Sequence, residues 1–308
     1  MAVSTGTRIQ ATDYNAIQSI IANVLGTGSG NSGYGQALAS SQLSLPATST
    51  RITAAQWSAL RTDILTCYNH QNSANGSITQ PLTTIQLTAN DYNAYLSMAN
   101  LCATNRLWFY NTSNVSTSTL LSTTLGGNTW GLNSNSQTAY IDASFTLTQD
   151  QARYYFNTGS DLRITASLSG SWSVSSKDYS WQSTLSQMGT IVFGAYSTST
   201  APGATSPGTG SAIGYYDLTS TFQQIYTKST STYVPNKIVI LAKATTSGSN
   251  VTVTIRTRFE DDNSQIVDEN VQGVLSFTMT SRYASGGGIS LTTPTVTGSF
   301  SVSPTIPS

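Results

Sequence analysis

The stretch VLGTGSGNSGYGQ, residues 24–36, decides between two fold classes. Its Gly28, Gly30 and Gly33 stand in the G-x-G-x-x-G spacing that, between a strand and a helix, lets a backbone turn press against a dinucleotide pyrophosphate. That reading requires a strand before the glycines. What precedes them instead is apolar at helical spacing, Tyr14, Ile17, Ile21 and Val24. The run therefore reads as a helix stop followed by a glycine-rich linker, with Gly26 where a left-handed C-terminal cap is wanted.

The helix before the glycines is one of three related copies. IQATDYNAI at 9–17, ITAAQWSAL at 52–60 and LTANDYNAY at 87–95 align without gaps. Ala11, Ala54 and Ala89 coincide, as do the aromatics Tyr14, Trp57 and Tyr92. Thr53 with Gln56 has the capping-box form, and Thr88 with Asp91 is a shorter version of it; in the first copy Gln10 replaces the Thr, which moves the expected cap to Thr12. Trp57, Leu60, Ile64 and Cys67, then Tyr92, Tyr95, Ala99 and Cys102, continue the apolar face, so three amphipathic helices of about four turns are expected. Cys67 and Cys102 fall where the first copy has Val24, which makes them core residues, with a disulfide between neighbouring helices as the alternative.

Farther along, residues 111–137 are rich in Thr, Ser and Asn and read as a linker carrying at most one extended segment. The period then changes to two. YIDASFTLT, LRITASLSG, TIVFGAYS, KIVILAKAT, VTVTIRTRF and VLSFTMTSRY are strand patterns. Two helical interruptions, at 148–157 and 176–189, are expected to cover a sheet face or edge. The fold class expected is α+β: a helical repeat module (1–110), the linker (111–137), a mainly antiparallel β-sandwich of jelly-roll-like type (138–283) and an extended tail (284–308), either flexible or ordered by lying on a neighbour.

Charge narrows the function. Thirteen basic and 13 acidic residues cancel, and charged residues are 8% of the chain against about 25% in ordinary globular proteins. No basic run offers a footprint for nucleic acid, and no apolar run is long enough to span a bilayer. The first residues lack the basic and apolar regions of a signal peptide. Desolvating charge at an interface is costly, so a hydroxyl- and amide-rich surface suits a chain that assembles with neighbours.

Sites for chemistry are few. His70, the only histidine, closes the second helix, where a His complements the helix dipole. Asp142, Asp150, Asp161 and Asp217 lie among aromatics, as a two-carboxylate glycosidase would need and as turn residues beside a β-core also do. Glu260, Asp261, Asp262, Asp268 and Glu269 offer oxygen ligands without EF-hand spacing, and read more simply as a solvated hairpin tip. No cofactor and no metal is called for. Tyr14, Trp57 and Tyr92 are the candidate assembly residues, and Trp172, Trp181 and Tyr215 the candidate glycan contacts.

Several blocks carry a resemblance: TGTRIQATDYNAIQSIIANVLGTGSGNSGYGQ, the repeated ITA-like helix starts, ARYYFNTGSDLRITASLSG at 152–170, YYDLTSTFQQIY at 215–226 and KIVILAKA. Together they span most of residues 5–245, and they resemble virion structural proteins of tailed bacteriophages, particularly of cyanophages and other T4-like marine phages. The resemblance implies presence in a mature particle, made in the host bacterial cytoplasm, with copies of itself and other virion proteins as partners. It supplies no catalytic residues. A tail-associated subunit at the neck, collar, baseplate or fibre attachment is the first expectation. A receptor- or glycan-binding tail module and a capsid decoration protein are the alternatives.

Overall fold

The computed structural model describes residues 8–40, 52–72, 74–82, 87–110, 114–131, 138–174, 176–234, 236–262 and 270–304. It is α+β, with three N-terminal helices followed by a β-rich part. The chain forms two compact units. The first comprises Met1–Ser116, Asp150–Ser160 and Tyr283–Thr292; the second comprises Thr117–Gln149, Asp161–Arg282 and Thr293–Ser308.

Helices α1 (Ala11–Val24), α2 (Ala54–Gln71) and α3 (Ala89–Thr104) are the three repeats. All twelve apolar positions expected on their inner faces are buried. Both expected capping boxes form: Thr53 N–H donates to Gln56 Oε1 at 2.7 Å and Gln56 N–H to Thr53 Oγ1 at 3.3 Å, with the same exchange between Thr88 and Asp91. In α1 the cap is Gln10, not Thr12. The Asp13 carboxylate reaches back to the Gln10 N–H at 2.8 Å, so an acid supplies what the missing hydroxyl cannot.

The glycine run is no linker. Gly26 stays outside the left-handed region, and Gly28, at φ +62°, is the first residue to enter it. A glycine is needed at 26 for closeness instead, since a Cβ there would lie 2.6 Å from the Ala22 carbonyl oxygen. The chain then doubles back: the amides of Tyr34, Gly35 and Gln36 donate to the carbonyls of Val24, Gly26 and Leu25, satisfying the open end of α1. The loop also gathers distant segments of its unit. Arg153 and Asn157 of α4 (Gln149–Asn157) donate to the carbonyls of Ser32 and Gly33 at 2.5 and 2.9 Å, and Gln36 exchanges two hydrogen bonds with the Ser290 backbone. Helix α4, expected over a sheet, thus has its buried Ala152, Tyr155 and Phe156 in the helical unit, because its polar side chains are the donors this loop lacks.

The second unit holds two sheets. One has the order β1-β10-β3-β4-β5, from β1 (Val115–Leu125), β3 (Asp161–Ser169), β4 (Ile191–Phe193), β5 (Thr198–Thr200) and β10 (Val274–Ala284). The other has the order β11-β2-β9-β8-β7-β6, from β2 (Thr138–Thr148), β6 (Thr209–Gly210), β7 (Gln223–Ser229), β8 (Lys237–Ser247), β9 (Asn250–Glu260) and β11 (Phe300–Ser303). The β10–β3, β2–β9 and β8–β9 pairings are antiparallel. The pairings β1–β10 and β2–β9 nest one inside the other, as in a rolled hairpin, whereas β3–β4 and β8–β9 pair with sequence neighbours, so the roll stops after two turns. Strict alternation buries Ala139, Ile141, Ala143, Phe145 and Leu147 of β2, leaving Tyr140, Asp142, Ser144 and Thr146 on the other face. Helix α5 (Lys177–Met188) is capped by Ser176 and packs Trp181, Leu185 and Met188 inward. The segment expected as a linker contributes β1 and the fully buried Trp130, and the tail is tied to its own chain through β11 against β2. Among the described residues no helix is long and apolar enough to cross a membrane.

Candidate functional site

Tyr14, Trp57 and Tyr92 are placed by the three helix repeats at one level of the first unit. Trp57 sits edge-on to Tyr14 at 5.3 Å, to Tyr92 at 6.4 Å and to Tyr95 at 5.2 Å. All four are buried, so these rings hold the helices to one another and none is presented to a partner. Burial, with Asp63 second, pushes the Tyr14 hydroxyl up to about 12. The thiols of Cys67 and Cys102 are free, buried and part of the same core.

His70 does not face solvent at a helix end. It is 1% exposed, lies between the rings of Tyr34 and Phe109, and donates from Nε2 to the Thr158 carbonyl at 2.9 Å. That bond fixes the tautomer, since a carbonyl only accepts. Burial lowers its pKa to about 4 against the partial support of that bond, so the ring is neutral at pH 7.

The glycan candidates separate. Trp181 is fully buried, edge-on to Trp130 at 5.2 Å, and is core. The Trp172 ring is folded onto Gly170 and Gly273, where any added Cβ would overlap it. Tyr215 stands in a half-exposed aromatic group that the sequence reading missed: it meets Tyr216 edge-on at 5.1 Å, and Tyr216 stacks on Tyr196 at 4.9 Å and 28°. Tyr196 is 37% exposed. The three tyrosines are brought together by Gly194 and Ala195, whose carbonyls accept from the amides of Tyr215 and Tyr216. Nothing in the local pattern ties residue 196 to 216.

The four acids considered for hydrolysis are dispersed and engaged. Asp142 holds Arg256 through two 2.7 Å contacts, and that guanidinium is clamped between Phe222 and Tyr140. Asp161 pairs with Arg163 and Arg282, Asp150 pairs with Arg153, and Asp217 accepts the Gly214 amide. Of the acids read as a solvated tip, Asp268 and Glu269 lie outside the described residues. Glu260 and Asp261 are buried at the end of β9, whose sheet does not contain β10, whereas Asp262 is exposed as expected. Glu260 meets Lys237 at 3.0 Å and Arg258 at 2.6 Å.

Asp261 is the centre of a second arrangement that the sequence did not announce. Its Oδ2 is 2.8 Å from Lys177 Nζ, at the first residue of α5, with both side chains wholly shielded from solvent. Its Oδ1 accepts a hydrogen bond from the side-chain amide of Asn236, the residue just before β8 and itself fully buried. Gly131 covers the carboxylate, with Trp130 beside it, Phe259 two residues earlier and Trp181 one helical turn beyond Lys177. Among the described residues no group of three or more His, Cys, Asp or Glu side chains could hold a metal ion.

No protein-family model, curated protein or solved structure matches the chain.

Proposed function

We propose that the chain is a non-enzymatic structural subunit of a tailed-phage virion, tail-associated, working by assembly with copies of itself and with other virion proteins. The observation that supports this most is where its few charges go. Every described acid is engaged within the chain, in an ion pair or by a hydrogen-bond donor. Among the described basic residues, seven hold those acids. On the open face of β2 and β9, Ser144 pairs with Thr254 and Thr146 with Thr252 through their hydroxyls. Such a surface buries against a neighbour with little charge to desolvate.

Cryo-electron microscopy of particles carrying this chain tests the reading. Density at the tail or neck, in a small multiple of the local symmetry, is the expected result. Density across the capsid lattice would make the chain a decoration protein, and absence from the particle would overturn the assembly reading altogether.

The stacked Tyr196 and Tyr216 favour one further reading, a host-glycan contact, since an exposed aromatic face is what a sugar ring packs on. Binding of the full chain on a glycan array, lost in Tyr196→Ala, is its test.

A further inference from the structure

We propose that Lys177 and Asn236 become joined by an isopeptide bond that forms without any helper, Asp261 moving the protons. Three observations converge on the site. A primary amine and a carboxamide sit on the two oxygens of one carboxylate, Nζ on Oδ2 at 2.8 Å and Nδ2 on Oδ1. Lys177, Asn236 and Asp261 are 1%, 0% and 4% exposed, so bulk water neither solvates the amine nor competes as nucleophile. The surrounding Trp130, Trp181 and Phe259 are fully buried aromatic side chains that wall the site off from solvent.

The chemistry follows from the placement. The step opens with a proton passing from the Nζ ammonium to Oδ2 of Asp261, which leaves two neutral groups where two charges stood. It also frees the lone pair on Nζ. That lone pair attacks Cγ of Asn236, forming the Nζ–Cγ bond and pushing the carbonyl π pair onto Oδ1 of the amide. The intermediate collapses as the Cγ–Nδ2 bond breaks. Asp261 carries protons from its Oδ2 side, where the amine sheds them, to its Oδ1 side, where the leaving nitrogen takes them up. In all, Nζ gives up two of its three protons, Nδ2 gains both and departs as ammonium, and Asp261 begins and ends as a carboxylate. No oxidant, metal or cofactor enters the balance. Fixed neighbours of this kind convert a slow bimolecular aminolysis into an intramolecular step.

The product would tie the start of α5, which packs on β3, to the start of β8 in the other sheet. The bond would therefore cross the core of the second unit.

Denaturing mass spectrometry of the full chain tests this. The expected intact mass is about 17 Da below that of the sequence, the loss of one ammonia. Because a cyclised asparagine elsewhere would lose the same mass, a tryptic digest must place it: cleavage after Lys177 should fail, and a branched peptide should link the segments carrying Lys177 and Asn236. Lys177→Arg and Asn236→Ala should each restore the full mass. A wild-type chain of full mass, or one whose loss maps elsewhere, overturns the proposal whether or not the variants fold. Cross-linking that persists in Asp261→Asn overturns the role given to that carboxylate.

Discussion

Residue 70 shows how burial sets a pH dependence. The folded His70 titrates near 4 and the unfolded one near its ordinary 6.5, so between those values the unfolded chain binds a proton that the folded chain refuses. Stability is therefore whole above pH 6.5 and falls as the pH drops toward 4, by on the order of 3 kcal/mol from this group. Urea unfolding at pH 4.5 and 7 should show a larger difference for the wild type than for His70→Gln; equal differences would mean that the ring is hydrated. Trp57 makes a second test at this scale, because it touches three rings from the two other repeats. Trp57→Ala should cost about 3–5 kcal/mol in the same measurement, whereas a surface docking residue would cost little.

Among the elements, the helix starts depend on single side chains. Thr88→Ala removes the acceptor for the Asp91 amide and should cost about 1 kcal/mol, read as a lower urea midpoint with an unchanged slope. Asn157→Ala should cost more, about 2 kcal/mol, because it removes the buried donor to the Gly33 carbonyl and one of the acceptors of the Arg106 guanidinium. These elements differ in how far they could be read beforehand. The three repeats were legible down to their buried faces, since a 3.6-residue period and a capping pair are local signals. The glycine loop was not, for its partners Arg153, Asn157 and Ser290 lie more than a hundred residues away. Strand β1 hid for another reason: its half-buried faces are lined with Ser and Thr, whose composition matches that of a loop. Asp261 looked like a solvated acid because its amine is 84 positions upstream. Residues whose role is set by a distant partner carry no mark in their own neighbourhood.

For the whole molecule, an interface with little charge has little to screen. Sedimentation of the full chain at low and at molar salt should give the same distribution of species, whereas an assembly driven by ion pairs would loosen as the Debye length shrinks. The interleaving of the units has a further effect on when, rather than how, this protein acquires its form. The helical unit takes its last piece from Tyr283–Thr292, and the β unit takes its last strand from Phe300–Ser303. Both closing segments are synthesised after every other segment of their units. Neither unit is complete until its closing segment has emerged, so the helical unit waits while most of the β unit is made, and a chain that stalls before Tyr283 yields no finished half.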